Sequence, residues 1–141
     1  MVHLVGDLHQ PLHSGVSADG GNVKVVVDGM PARAGTTLHA LWDNAIGNLA
    51  VAAGPLQWRP VADDAPGADA PTRWMRETRD VARRAVYDTL PGFACGQPLP
   101  QPLRLDAAYV ERATVVAREQ MEIAGTRLAR LLNGLLRPAA P

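Results

Sequence analysis

The sequence predicts a mainly α-helical domain with one small β-ribbon. Apolar residues recur at three- and four-residue steps in several segments, one short valine-rich run favours a strand, and stretches rich in Pro and Gly separate these segments. With 141 residues, 47% of them hydrophobic and 20% charged, the chain can bury one core. We expect a single domain over residues 1–141, made of a front segment (1–53), a loop (54–71) and supporting helices (72–136).

The front segment contains two predicted helices and one strand. Residues 2–10 have helical spacing of apolar side chains, and Pro11 marks the end of that helix. The run NVKVVVD at 22–28 predicts a short strand, and an Asp-Gly turn signal closes it. Thr36 is the predicted N-cap of a second helix that continues to Gly54. At most a two-stranded ribbon is expected.

The back of the chain predicts two further helices. The composition of 54–71 is typical of an exposed loop, and a helix is predicted from 72 to 90. The Pro-rich stretch 91–103 separates it from a long final helix, which Asp106 caps and which reaches 136. The indole rings that stand on apolar helix faces are predicted core residues: Trp42 and Trp74.

Composition excludes several classes of protein. The 14 basic and 14 acidic side chains cancel, which argues against a strongly basic DNA-coating protein. No run approaches the roughly 18 to 20 apolar residues of a membrane span. We expect no signal peptide in the chain as given, because Asp7 and three histidines interrupt its first segment. The single cysteine, Cys95, allows no internal disulfide and is predicted to be a buried or half-buried thiol.

Two His-x-x-x-Asp pairs are the clearest chemical signal. His3 with Asp7, and His39 with Asp43, are each four residues apart on predicted helices. Residues i and i+4 share one helix face, so each pair can present an imidazole nitrogen and a carboxylate oxygen to one ion. A lone His or Asp on a helix is more often a surface or cap residue, whereas two such pairs exceed what four histidines supply by chance.

A further histidine extends this signal. His13 follows the Pro-containing turn and could complete a site with His39 and Asp43. Two histidines and one carboxylate are the ligand set of a catalytic zinc site that keeps one coordination position open. Pro11 separates His9 from His13, so we interpret His9 as a packing or outer-shell residue.

The ordered motifs resemble a known family. The run HLVGDLHQPLH, then GGN before a valine-rich strand, then LHALWDN, RWMRET and QMEIAGTRLARLLN, is similar to the secreted zinc-dependent single-strand-specific nucleases of fungi, the plant bifunctional nucleases and their bacterial relatives. The resemblance spans essentially the whole chain. It implies the helical phospholipase C/nuclease fold, a secreted or periplasmic location and three zinc ions at the bottom of a cleft. No protein partner is implied.

The resemblance also implies residue roles. His3 looks like a ligand of the first zinc, and Asp7 like the catalytic carboxylate that bridges the first and third. His13, His39 and Asp43 look like the three ligands of the second zinc, and Asn44 falls where some members contact the nucleobase. The family cleaves single-stranded DNA and RNA to 5′-mononucleotides and has 3′-nucleotidase activity. A zinc pair there activates a water for attack at phosphorus, and another zinc neutralises the departing 3′-oxygen.

The sequence departs from the family pattern at its start. Family members have a long N-terminal half before the position that corresponds to Met1. That half contains an N-terminal Trp, two His and an Asp, which complete the first and third zinc sites. The resemblance therefore implies a partial domain whose N-terminal half is missing and in which only the second site has its full protein ligand set, so we expect impaired hydrolysis. Two alternatives stay open at this point: a non-catalytic remnant that binds zinc, and a zinc phospholipase C of the same fold.

Overall fold

The first helix ends before Pro11, as the sequence predicts. The computed structural model describes residues 2–15, 22–30, 36–61 and 67–136, and it confirms a mainly helical chain with a small sheet. Helix α1 spans Val2–His9, and a 3-10 turn follows at Pro11–His13. Pro11 has no N–H to continue the helical hydrogen bonds, so the α-helix ends before it. Gly20 and Gly21 of the GGN motif lie outside the described residues.

The second predicted helix is present as three consecutive stretches. Helix α2 covers Leu38–Ala40, a first π segment covers Leu41–Ile46, and helix α3 covers Gly47–Ala52. The prediction of Thr36 as its N-cap is wrong by one residue. Thr37 has the extended backbone of a cap, and its Oγ1 accepts a hydrogen bond from the N–H of Ala40 at 3.1 Å.

The two back helices are also present. Helix α4 spans Ala70–Val81 and continues as a second π segment, Ala82–Tyr87. It begins two residues before the predicted start because Pro71 fits the first turn, where no backbone N–H is needed. Helix α5 spans Ala107–Leu136, and the Asp106 carboxylate accepts from the N–H of Tyr109 at 2.7 Å, as expected of the cap.

The small sheet pairs two distant segments. Strand β1, Val25–Val27, lies parallel to strand β2, Leu103–Leu105. The sequence prediction placed a strand at 22–28 and treated residues up to 103 as a connection. Strand β2 was missed because a segment of three residues is too short to give a clear strand pattern. The Asp-Gly turn does form after β1, with Gly29 at φ +80°, but it does not lead into the partner strand.

Strand β1 fixes the start of the helix that follows it. The N–H of Val25 donates to the carbonyl of Thr36, and the N–H of Leu38 donates to the carbonyl of Val23, each at 2.9 Å. These bonds hold the first turn of α2 beside the sheet. The orientation of the α2 side chains is therefore tied to the position of β1.

Two apolar clusters form the core. The larger one joins both strands, α2, both π segments and the first half of α5, and it contains Trp42, which is 2% exposed. The smaller one packs Val5 and Ala70 around Trp74, also 2% exposed, with side chains of α5 against it. Both tryptophans are core residues, as predicted from their helix faces.

A buried polar contact joins α1 to the two back helices. His9 is 2% exposed, and its Nδ1 lies 2.6 Å from the carbonyl oxygen of Val5. Because a carbonyl can only accept, Nδ1 carries the proton and Nε2 accepts from Arg127, at 2.8 Å. Arg127 also donates to Glu77 at 2.5 Å and lies 5.2 Å from the centre of the Trp74 ring. His9 is thus the packing residue that the sequence predicted.

The cysteine prediction is wrong. Cys95 is an exposed free thiol, because the Pro- and Gly-rich connection that carries it runs over the surface without regular structure. Among the helices of the described ranges, none combines the length and the apolarity that crossing a bilayer requires.

Candidate metal centre

Helix α1 presents the first predicted pair. His3 and Asp7 stand one turn apart, and Nε2 of His3 lies 3.0 Å from Oδ2 of Asp7. The His3 side chain is 88% exposed, whereas Asp7 is about one-third exposed at 35%. The pair therefore sits at the rim of the site, with Asp7 on its inner side.

The 3-10 turn brings His13 back toward this pair. Pro11 redirects the chain after α1, and the short turn places Nδ1 of His13 at 3.4 Å from Oδ1 of Asp7. The two oxygens of Asp7 thus face two different histidines, His3 on one side and His13 on the other.

The second predicted pair faces the same point from α2 and the first π segment. Nε2 of His39 lies 3.3 Å from Oδ2 of Asp43, and Nε2 of His13 lies 3.5 Å from Oδ1 of Asp43. The rings of His13 and His39 have centres 5.2 Å apart. Five predicted residues from α1, the 3-10 turn, α2 and the first π segment therefore form one continuous line of contacts: His3, Asp7, His13, Asp43 and His39.

A buried hydrogen bond anchors the π segment that carries Asp43. Nε1 of Trp42 donates to the hydroxyl oxygen of Tyr109 on α5, at 3.1 Å. Tyr109 is 3% exposed, and burial raises the pKa of its phenol to about 12. Because Trp42 directly precedes Asp43, this bond anchors to α5 the segment that carries the ligand.

The shifted phenol predicts alkaline sensitivity of the fold. The unfolded chain loses the Tyr109 proton near pH 10, whereas the folded chain keeps it to about pH 12. The free energy of unfolding should therefore fall between these values, by about 2 to 3 kcal/mol at most. Urea unfolding from pH 8 upward measures the slope, and Tyr109→Phe should flatten it. Equal slopes for both proteins would contradict the assignment.

One group of side chains has the geometry of a metal site. His13, His39 and Asp43 each offer a ligand atom, and these atoms all lie within 4.8 Å of one another. Two imidazoles and a carboxylate suit zinc, and their side chains are 31 to 39% exposed, so an ion can enter from solvent. In the described part of the chain, His3 and Asp7 supply only a pair of donors at the neighbouring position.

One hollow borders this site, and a second lies beside Asn44. A cavity of about 270 Å³ between α1, the first π segment and α5 is walled by Asp7, His13 and Asp43 on one side and by Trp42 and Met121 on another. Asn44, the predicted base contact, faces a different hollow of about 470 Å³ beside β1. Its Nδ2 donates to the carbonyl of Ala40 in its own helix, at 2.9 Å.

Sequence reasoning missed one polar residue of this centre. Nε2 of Gln10 donates to Oδ1 of Asp43 at 2.6 Å, although the two residues are far apart in sequence. Its position between two predicted ligands, Asp7 and His13, and directly before Pro11, was a signal that could have identified it. A long-range side-chain contact of this kind becomes visible only when the two helices are placed together.

Comparison with known proteins gives a match over almost the full chain. Residues 1–137 match a family model described as S1/P1 Nuclease. No curated protein and no solved structure matches the chain.

Proposed function

Because the chain belongs to the S1/P1 nuclease family, we propose that it is a zinc-dependent hydrolase that cleaves phosphodiester bonds of single-stranded DNA or RNA to 5′-mononucleotides and also acts on 3′-nucleotides. The observation that carries the proposal is the convergence of His13, His39 and Asp43, the ligand set of an open zinc site. Bound zinc would supply positive charge for the phosphate and activate water for attack at phosphorus.

The protein's own residues would divide the work of the site. His13 turns Nε2 toward Asp43 and Nδ1 toward Asp7, an arrangement in which a metal-binding histidine donates its other N–H to a carboxylate. Asp7 would hold a neighbouring ion together with His3 and would orient His13 at the same time. We assign Asp7 the catalytic bridging role on this basis.

Substrate would approach along the exposed side of the ligand line. The acidic and histidine side chains carry no fixed positive charge, so the ions would supply the attraction for phosphate. Asn44, one residue after Asp43, is the side chain we propose to contact a nucleobase, through its side-chain carbonyl oxygen. Family membership also supports a secreted or periplasmic location.

The test combines zinc stoichiometry with hydrolysis. We expect the purified chain to bind zinc tightly at the His13, His39 and Asp43 group and to cleave single-stranded DNA in preference to a matched duplex and to phosphatidylcholine. Cleavage should be weak, since the described residues supply three ligands to one ion only. Asp43→Asn should lower both zinc affinity and cleavage by at least about 100-fold, while Asp80→Asn on the exposed face of α4 should change neither.

The outcomes separate the proposed activities. One zinc per chain without cleavage would support a non-catalytic zinc-binding role instead. Preferential hydrolysis of phosphatidylcholine would favour the phospholipase. Equal zinc content in the parent chain and Asp43→Asn would contradict the proposed site itself.

A further inference from the structure

Gln10 has each of its hydrogen-bonding groups engaged around the candidate metal centre. Its N–H donates to the carbonyl of Asp7 at 3.2 Å, and its carbonyl accepts from the N–H of His13 at 3.0 Å. Its Oε1 accepts from the N–H of Leu12 at 2.5 Å, and its Nε2 donates to Oδ1 of Asp43 at 2.6 Å. One residue therefore forms hydrogen bonds with three of the five predicted ligand residues: Asp7, His13 and Asp43.

The orientation of the Gln10 amide follows from the chemistry of its partners. The N–H of Leu12 is a donor, so it requires the carbonyl oxygen of the amide. The carboxylate of Asp43 only accepts, so it requires the NH₂ group. Both ends agree on the same orientation, and a flipped amide would lose both hydrogen bonds.

This contact divides the two oxygens of Asp43 between different tasks. Oδ1 receives the Gln10 amide and lies 3.5 Å from Nε2 of His13, whereas Oδ2 lies 3.3 Å from Nε2 of His39 and receives no bond from Gln10. A hydrogen bond to one oxygen fixes the plane of a carboxylate and occupies one lone pair of that oxygen, which favours the other oxygen as the ligand of an ion. Oδ2 is thereby left as the ligand atom.

On the basis of the proposed zinc site, we infer that Gln10 is a positioning residue. It makes Asp43 a monodentate ligand that binds through Oδ2. The side chain acts through Asp43 and does not bind the metal. Its cap on the 3-10 turn serves the same centre, because that turn sets the position of His13. Gln10 thus connects α1, which carries His3 and Asp7, to Asp43 in the first π segment, and this connection does not require a bound ion.

The test is zinc affinity of Gln10→Met, a variant of similar length that cannot donate or accept. Competition with a chromophoric chelator should show zinc binding weakened by about 10- to 100-fold, the usual cost of losing an outer-shell partner. Gln57→Met is the matched control. The Gln57 side chain is exposed, and its Nε2 donates to the carbonyl of Pro55 in the same loop. This variant should bind zinc like the parent chain.

X-ray absorption of the zinc-loaded proteins distinguishes the two roles of Gln10, which are the hydrogen bond to Asp43 and the cap on the 3-10 turn. We expect two imidazoles in both proteins and an added oxygen ligand in Gln10→Met, as Asp43 becomes free to bind through both oxygens. Loss of an imidazole would assign the effect to the turn cap and His13, and would overturn the inference. Circular dichroism of the metal-free variant checks that its total helix content equals that of the parent chain.

Failure of this inference is distinguishable from failure of the proposed function. Equal zinc affinity in Gln10→Met and the parent chain, with binding that still depends on Asp43, would overturn the positioning role alone. Absence of zinc binding by the parent chain would overturn both.

Discussion

Replacing His39 with Ala is expected to abolish tight zinc binding at the group formed with His13 and Asp43. The imidazole contributes one of only three ligand atoms that lie within 4.8 Å of one another. Losing an outer-shell partner costs about 10- to 100-fold in metal affinity, so losing a ligand should cost more than about 100-fold. Zinc content after dialysis against a weak chelator, together with isothermal titration, measures the loss. Unchanged zinc content would contradict the assignment of this residue.

The matched control is His3→Ala. His3 pairs with Asp7 and lies outside the three-ligand group, with a side chain that is 88% exposed. This variant should retain the His39-dependent zinc ion. Both histidines are at least partly exposed, so neither variant should lose more than a small part of the unfolding free energy. A similar loss of zinc from both would mean that the five residues act as one inseparable cluster.

The largest loss of stability is expected from Arg127→Met. The guanidinium is 5% exposed, donates to Nε2 of His9 and lies over the ring of Trp74. Met keeps much of the apolar stem but removes the hydrogen bond to the buried Nε2 of His9, which costs about 1 to 3 kcal/mol. The ion pair with Glu77 adds little, because the Glu77 side chain is 56% exposed. Urea unfolding at neutral pH measures the difference.

Arg76→Met on α4 is the control for this substitution. Arg76 is exposed, and replacement of an exposed side chain usually changes the free energy of unfolding by less than about 0.5 kcal/mol. Arg127→Met should also loosen α1, so hydrogen exchange in Val2–His9 should accelerate more than exchange in the first half of α5. Equal stability of the two variants would show that the buried contact contributes nothing net.

The candidate centre could be predicted from sequence because its spacing is a local property of helices. Because His39 and Asp43 are four residues apart in a helix, their side chains share one face. In the structure Nε2 of His39 lies 3.3 Å from Oδ2 of Asp43. The same holds for His3 and Asp7 on α1. That the two pairs meet depends on packing between helices, and here the resemblance to a known family supplied the expectation that local spacing could not.

The features that escaped prediction are those set by distant contacts. The pairing of Val25 with Leu103 joins segments separated by five helical stretches, and each strand is only three residues long, too short for a clear strand pattern in the sequence. The choice of Thr37 over Thr36 as the cap follows from the bond between β1 and α2, which fixes where the helix can begin. Gln10 escaped for the same reason, since its partner Asp43 belongs to another helix.

The parallel pairing of β1 with β2 sets the order in which the protein can assemble. A nascent chain that has emerged as far as α3 already contains all five residues of the ligand line, yet Leu103–Leu105 are still unmade. The long loop between the two strands must close before β1 and β2 can pair. The bonds between the β1 segment and the start of α2 join residues 23–38 only, so they can form on the growing chain before β2 is made, and the pairing of the sheet follows later.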